Sequence, residues 1–281
     1  MLKFSLRCCT AALLCAAGLG MWPLAAQDKA PIPNFAPDAG TAWTSDRPQS
    51  DDFLPPPSGA GPVLSDPAHP YVPNGQGQPT YRVADLTNPI LKPWVIERMR
   101  KANEAVLAGK VPFIARERCW PAGVPAIDIY NRGQPIHFLQ TQKQVVIINE
   151  LYAQMRHIYL SVAHSAHVTP SWYGESVGHY EGDELVVDTI GLNDRTFVDN
   201  YRTPHTEQLH VLERFKMLQG GQRLQVSVTV EDPGAFNMPW SAVQRWRRVQ
   251  VPLIEDLCEP NNVFFFGYGV AELPHANKPD F

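Results

Sequence analysis

Gly220-Gly221 stands between two long runs of alternating side chains, 207–218 and 223–232. Both positions of a two-residue hairpin loop must tolerate positive φ, and glycine does so without cost. Counting outward from that turn sets Met217 opposite Leu224, Phe215 opposite Val226, Glu213 opposite Val228 and Val211 opposite Val230. Side chains alternate along a strand, so these residues share one face. That face is apolar except for Glu213 and, nearer the strand start, Glu207. The opposite face carries His210, Arg214, Lys216, Arg223, Gln225, Ser227, Thr229 and Glu231, and it suits water. An unpaired carboxylate on a greasy face is costly. Glu213 is therefore either ion-paired, with Arg245 as one candidate, or a pocket acid with a perturbed proton affinity.

A second hairpin turns at Gly182-Asp183, between SVGHYE and ELVVDTIGL. Its register places His179 opposite Val186 and Val177 opposite Asp188, which makes His179 and Asp188 diagonal neighbours. A carboxylate beside an imidazole orients the ring and raises its basicity. The same pair is equally a solvent-facing contact on the outer wall.

Around these hairpins the period-two pattern predicts eight strands, at 136–141, 144–150, 155–162, 175–181, 184–192, 207–218, 223–232 and 241–250. Short turns between successive strands imply antiparallel neighbours. The expected fold is mainly β, an eight-stranded antiparallel barrel of lipocalin type that holds side chains or one small ligand. A two-sheet β-sandwich is the alternative. One helix is expected over 89–108, capped by Thr87 or Asn88, with Pro89 in its first turn and Gly109 as its stop. Leu91, Val95, Met99, Ala102 and Val106 form its apolar stripe. The aromatic run Phe264–Phe266 with Tyr268 is expected to seal a barrel mouth.

The rest of the chain bounds compartment and class. Residues 1–26 read as a secretory signal, with Lys3 and Arg7 ahead of an apolar run. Residues 27–86 form a Pro-rich extended linker or wrap, with twelve prolines from Pro31 to Pro79, and residues 87–281 a single β-rich domain. Taking 26 residues from 281 leaves 255, enough for one substantial core. Removing Lys3 and Arg7 from 24 basic residues leaves 22 against 28 acidic ones, a balance of −6. That balance disfavours nucleic acid as a partner, and no run in the mature chain is long and apolar enough to span a bilayer. A periplasmic or secreted protein is expected. Cys119 and Cys258 are the two cysteines beyond the signal, and in an oxidising compartment they read as one disulfide.

The connection from Gly191 to His205 is the expected rim of the site. It offers Asn193, Asp194, Arg195, Asp199 and Tyr201, with Trp172 and Tyr173 as stacking partners and His179 beside them. Asn193-Asp194 is also ordinary turn chemistry. His205 and Glu207, two apart in extended chain, would share a face as a base and its orienting carboxylate, and Glu213 would be a buried acid. No cofactor is expected. A metal held by His164, His167, His179 and His205 is the weaker alternative, because no helix or tight spacing gathers those ligands. No nucleophile elbow or phosphate loop is present.

Three stretches carry a resemblance: RCWPAGVP (118–125), PSWYGESVGHYEGDELVVDTIGLNDRTFVDNYRTPHTEQLHVLERF (170–215) and VEDPGAFNMPWSAVQRWRR (230–248). Over most of the chain after residue 87 it resembles a group of secreted bacterial proteins of uncharacterised activity. The resemblance implies an exported soluble domain and marks 191–215 as a signature segment. The functional expectation is a cofactor-free acid–base enzyme of the lyase, hydratase or isomerase type, acting on a carbohydrate or aromatic derivative. The alternatives are a small-molecule carrier or sensor without catalysis, and an envelope interaction protein.

Overall fold

The hairpin registers hold as read: Glu213 pairs with Val228 and Met217 with Leu224, while His179 pairs with Val186 and Val177 with Asp188. The computed structural model describes residues 32–47, 51–73, 75–79, 81–110, 112–113, 119–129 and 134–258. The expected signal segment and the Phe264–Tyr268 run lie outside them.

The strands are β1 (Thr41–Ser45), β2 (Ile136–Gln140), β3 (Gln144–Asn149), β4 (Gln154–Leu160), β5 (Glu175–Glu181), β6 (Glu184–Ile190), β7 (His210–Leu218), β8 (Arg223–Glu231) and β9 (Trp240–Gln250). They close into one barrel in sequence order. This excludes the sandwich and corrects the strand count from eight to nine. The extra strand, TAWTS, comes from the Pro-rich segment. It occupies the proline-free window between Pro37 and Pro48, and it pairs with β9 along its whole length and with β2 at Trp43.

A ring of nine strands cannot alternate direction all the way round, so at least one neighbouring pair must run parallel. That pair is β4 and β5, joined through Ile158–Leu160 and Ser176–Gly178. The sheet is therefore mixed, not antiparallel. The crossover between them, residues 161–174, carries the chain back to the end where β4 began.

The two barrel ends differ as a result. One end holds the tight turns at 141–143, 182–183 and 219–222. The other gathers the long connections: 46–135, 161–174, 191–209 and 232–239. The one described α-helix, α1 (Pro93–Leu107), lies at this second end. Its first-turn proline is Pro93, not Pro89. Pro89 instead follows Asn88, whose side chain accepts from the Ile90 amide at 3.2 Å in a local turn. Lys92 N–H donates to the Ala235 carbonyl at 3.2 Å, and Trp94 Nε1 to the Gly234 carbonyl at 2.8 Å, which dock the helix start on the β8–β9 connection. Gly109 stops the helix at φ +73°.

The barrel interior is packed with side chains. Trp43, Phe138, Phe215, Leu224, Val226 and Trp246 fill the tight-turn half. Phe215 and Trp246 stack with centroids 6.4 Å apart, and Phe138 meets Phe215 edge-on at 6.0 Å. The other half is stopped by a plug, residues 122–129. Its 3-10 turn, Ala126–Asp128, is wholly buried. Asn149 Nδ2 donates to the Ile127 carbonyl at 3.4 Å, and Ala122 N–H donates to Gln154 Oε1 at 2.8 Å. The Cys119–Cys258 disulfide, spanning 139 residues, ties the head of the plug to the C-terminal segment. That segment is held in turn by Tyr152 N–H on Asp256 Oδ2 at 3.1 Å.

Candidate functional site

Glu213 points inward from the middle of β7 and is wholly buried, as parity requires. Its partner is Arg156 of β4, not Arg245. Arg245 faces outward and donates to Gln225 at 2.9 Å. Arg156 Nη1 donates to Glu213 Oε1 at 2.7 Å, and its Nη2 reaches the second carboxylate oxygen. The fork is completed by Nε on Ser176 Oγ at 3.2 Å and Nη2 on Thr189 Oγ1 at 2.8 Å. Asp128, from the plug, stands beside this pair. Burial, and then the nearby Glu213 charge, push its carboxyl well above the usual carboxylate range. Asp128 Oδ2 meets no donor, and a proton of its own, given to Glu213, accounts for that.

His205 is also buried. Its Nδ1 donates to the Thr206 carbonyl at 3.1 Å, so its Nε2 accepts from Thr196 Oγ1 at 2.9 Å. Burial lowers its proton affinity and keeps the ring neutral. The expected partner does not join it. β7 begins at His210 instead of 207, and Glu207 lies exposed in the turn before it. Asp232 organises that turn, taking Thr206 N–H at 2.6 Å and Thr206 Oγ1 at 2.7 Å. His205, Glu207 and Glu213 thus occupy three separate environments: rim interior, solvent and barrel centre.

The connection 191–205 divides in two. Asn193 Oδ1 accepts from the Arg195 amide at 3.1 Å, a local turn that leaves Asp194 and Arg195 exposed. Asp199 and Tyr201 face the Pro-rich segment and are buried. Asp199 accepts from Tyr201 N–H at 2.8 Å, Thr203 N–H at 3.1 Å and Thr203 Oγ1 at 2.7 Å, while burial raises its carboxyl to about 6. The Tyr201 hydroxyl meets Ser65 Oγ at 3.0 Å. Arg82 lies 4.1 Å over the Tyr71 ring and pairs with Asp51 and Asp52. These residues lock the Pro-rich strap to the barrel.

At the outer edge of the same end, four aromatic rings meet. Trp120 lies 5.2 Å from Trp172 and 5.2 Å from Phe113, and Phe113 lies 6.3 Å from Phe197. Arg195 stands 5.9 Å over Trp172, and Arg98 of α1 stands 5.8 Å over Phe197. Trp120, Trp172 and Phe113 are half-buried, and both arginines are exposed. Thr196 joins this rim to His205, and Gly123 of the plug packs against Thr196 so closely that a Cβ would stand 2.6 Å from its Oγ1. Of the sequence candidates, Asn193, Asp194, Arg195, Trp172 and, through Thr196, His205 come together here. Tyr173 turns inward instead, its hydroxyl on Gln154 Oε1 and its proton affinity raised by burial.

His179 is exposed and pairs with Glu181 at 2.9 Å, not with Asp188. Asp188 Oδ1 is taken by His164 at 3.0 Å and His210 at 3.1 Å. His167 is exposed in the crossover, and His205 lies inside the rim, so the four histidines do not gather. Among the described residues no group of three or more His, Cys, Asp or Glu side chains could hold a metal ion, and no helix is long and apolar enough to cross a membrane.

Sequence reasoning missed Arg156, Asp128, Arg82, Trp120 and Phe113. The signal for Arg156 was its place in MRHIYLSV, where strand parity sets it on the same side as Ile158 and Leu160. Comparison with known protein families, curated proteins and solved structures finds no match.

Proposed function

We propose that this is an exported binding protein, a carrier or sensor, that takes a planar, oxygenated anion on the aromatic rim. Aromatic acids and sugar acids are the ligand class. The observation that carries the reading is Trp172, half-buried, with Trp120 at 5.2 Å and the exposed Arg195 guanidinium at 5.9 Å from its ring. Tryptophan offers a stacking face to a sugar or aromatic ring. A guanidinium matches a carboxylate through two parallel hydrogen bonds. Long connections converge at this end and the tight turns at the other, so the rigid barrel presents the rim as a scaffold presents a binding loop.

A mass-spectrometric metabolite screen of the purified protein, followed by tryptophan-fluorescence titration, tests it. Trp172→Ala and Arg195→Ala are expected to weaken binding at least tenfold while the thermal midpoint stays put. Saturable binding that ignores both substitutions would sink the rim assignment.

The acid–base enzyme is the second reading, favoured by Asp128, whose proton affinity burial and Glu213 raise, beside the Glu213 carboxylate. A paired acid and carboxylate is the equipment of proton transfer. It requires the plug to withdraw so that substrate reaches the barrel centre. Turnover of the bound ligand, abolished by Glu213→Gln in a folded variant, separates this reading from simple binding.

A further inference from the structure

Near the tight-turn end, four strands set one row of side chains on the outer wall: Leu218 of β7, Arg223 of β8, Arg247 of β9 and Thr44 of β1. Parity puts the row outside, because Leu224, Trp246 and Trp43, one place along, are buried in the barrel. Arg223 and Arg247 are direct cross-strand partners. The next row sets Gln225 opposite Arg245, whose Nε donates to Gln225 Oε1 at 2.9 Å. Arg245 and Arg247 are exposed, and Arg223 is half-buried.

The chain has acids to spare, 28 against 24 basic residues, and on the neighbouring strand it uses them. Arg214 of β7 meets Glu181 and Glu184, and Lys216 meets Asp183 and Glu184. Among the described residues no carboxylate ion-pairs with Arg223, Arg245 or Arg247. Asp46 comes next in register, its amide donating to the Arg245 carbonyl at 3.2 Å, yet its carboxylate makes no ion pair with that guanidinium. Like charges directly opposite on neighbouring strands, with Cβ atoms about 5 Å apart, repel. An acid-rich chain that keeps three cations together without a counter-charge is built to take the counter-charge from outside.

The residue type narrows that anion. A guanidinium meets an oxyanion through parallel hydrogen bonds, a geometry an ammonium lacks. A carboxylate brings two oxygens and one charge. A phosphoryl group brings three acceptor oxygens and roughly two negative charges at pH 7. With its Nε on Gln225, Arg245 keeps both Nη groups for such a ligand.

We infer that Arg223, Arg245 and Arg247 bind the phosphoryl group of a small soluble phosphate monoester on the outer wall of the barrel, with the Thr44 hydroxyl as a further donor. A phospholipid headgroup carries related chemistry, but the wall suits a soluble ester. Among the described residues no large apolar side chain of β1, β7, β8 or β9 stands exposed beside the cluster to enter a bilayer. The net charge of −4 also opposes approach to an anionic membrane. The cluster shares no side chain with the aromatic rim, so the two readings stand or fall separately.

Titration of the full chain with methyl phosphate at low salt, followed by calorimetry and 31P line broadening, tests it. One equivalent is expected to bind, more weakly as salt is added. Arg223→Gln and Arg247→Gln are each expected to weaken it about tenfold, since each removes charge-assisted hydrogen bonds. Arg100→Gln, on α1 and already paired with Glu97 and Glu104, is expected to leave it unchanged. Acetate, a carboxylate of similar size, is expected to bind at least tenfold more weakly. If a variant fails to fold, the wild-type chain decides: methyl phosphate raises its thermal midpoint, and acetate at equal concentration does not. Binding that survives both arginine substitutions overturns the site. So does acetate bound as tightly as methyl phosphate, or retention on phosphatidylglycerol vesicles that methyl phosphate does not displace.

Discussion

Arg156 and Glu213 meet across the inside of the barrel, from β4 and β7, with both side chains wholly out of water. Ser176 and Thr189 complete the guanidinium's hydrogen bonds, and Asp128 sits beside the carboxylate with its proton affinity raised by burial and by Glu213. A buried pair of this kind is weak evidence of net stability, because desolvation opposes the attraction, but breaking it is costly. Glu213→Met alone is expected to destabilise the fold by about 3–5 kcal/mol, since it strands the arginine. Arg156→Met with Glu213→Met is expected to be less damaging than either single change. Denaturant midpoints of the three variants check this; a double variant as unstable as the sum of the singles refutes it.

Asp128 tests the proton placement. A neutral acid is nearly isosteric with an amide, so Asp128→Asn is expected to cost no more than about 1 kcal/mol, while Asp128→Ala also opens a hole and costs more. Because the folded-state proton affinity is raised, the stability this group contributes is present at low pH and is lost as pH rises through its folded value. Wild type is therefore expected to lose ground to Asp128→Asn as pH rises above the ordinary carboxylate range. Parallel pH profiles of the two chains would remove the shared proton.

Much of this arrangement was written in the β7–β8 hairpin and little of it in β4. Gly220-Gly221 and the alternation around it fix the register, and the register puts Glu213 inside. Nothing in hydrophobicity says that Met155 and Tyr159 face solvent while Arg156 faces the core, as they do. β4 inverts the usual preference because the interior already holds a carboxylate that needs a cation. The ninth strand was hidden for a different reason. Proline density reads as extended chain, and only the short gap between Pro37 and Pro48 lets β1 pair. The rim's Trp172 and Arg195 could be read from the sequence. Trp120 and Phe113 could not, because their approach depends on how the plug returns over the barrel end.

Asp199 makes the strap pH-sensitive. Its carboxyl sits at about 6 when folded against 3.8 for the free group, so between those values the folded chain binds the extra proton. Stability contributed by this proton is full below about 3.8 and is lost as pH rises to about 6, a change of roughly 3 kcal/mol by linkage. Asp199→Asn keeps the Oδ1 acceptor for Tyr201 and Thr203 and does not titrate. Urea midpoints from pH 4 to pH 7 are expected to fall less steeply in the variant than in wild type. Equal slopes would show that Asp199 does not carry the shift.

Gly123 links the plug to His205 through Thr196. A methyl group at residue 123 would meet Thr196 Oγ1 at 2.6 Å, and the backbone there has φ +73°, where L-residues are strained. Gly123→Ala is expected to cost on the order of 2–4 kcal/mol, the clash and the backbone strain together. It also drives Thr196 away from His205 Nε2, which loses the hydroxyl it accepts from. Replacing Thr196 with alanine in the Gly123→Ala background relieves the clash and leaves the strain, so partial recovery is expected. The imidazole nitrogen shifts of His205, read by 15N NMR, follow the hydrogen bond directly: the Nε2 resonance is expected to move in Gly123→Ala and in Thr196→Ala alike, while Nδ1 keeps its proton on the Thr206 carbonyl. An unmoved Nε2 resonance in both variants would show that Thr196 is not the group that holds the ring.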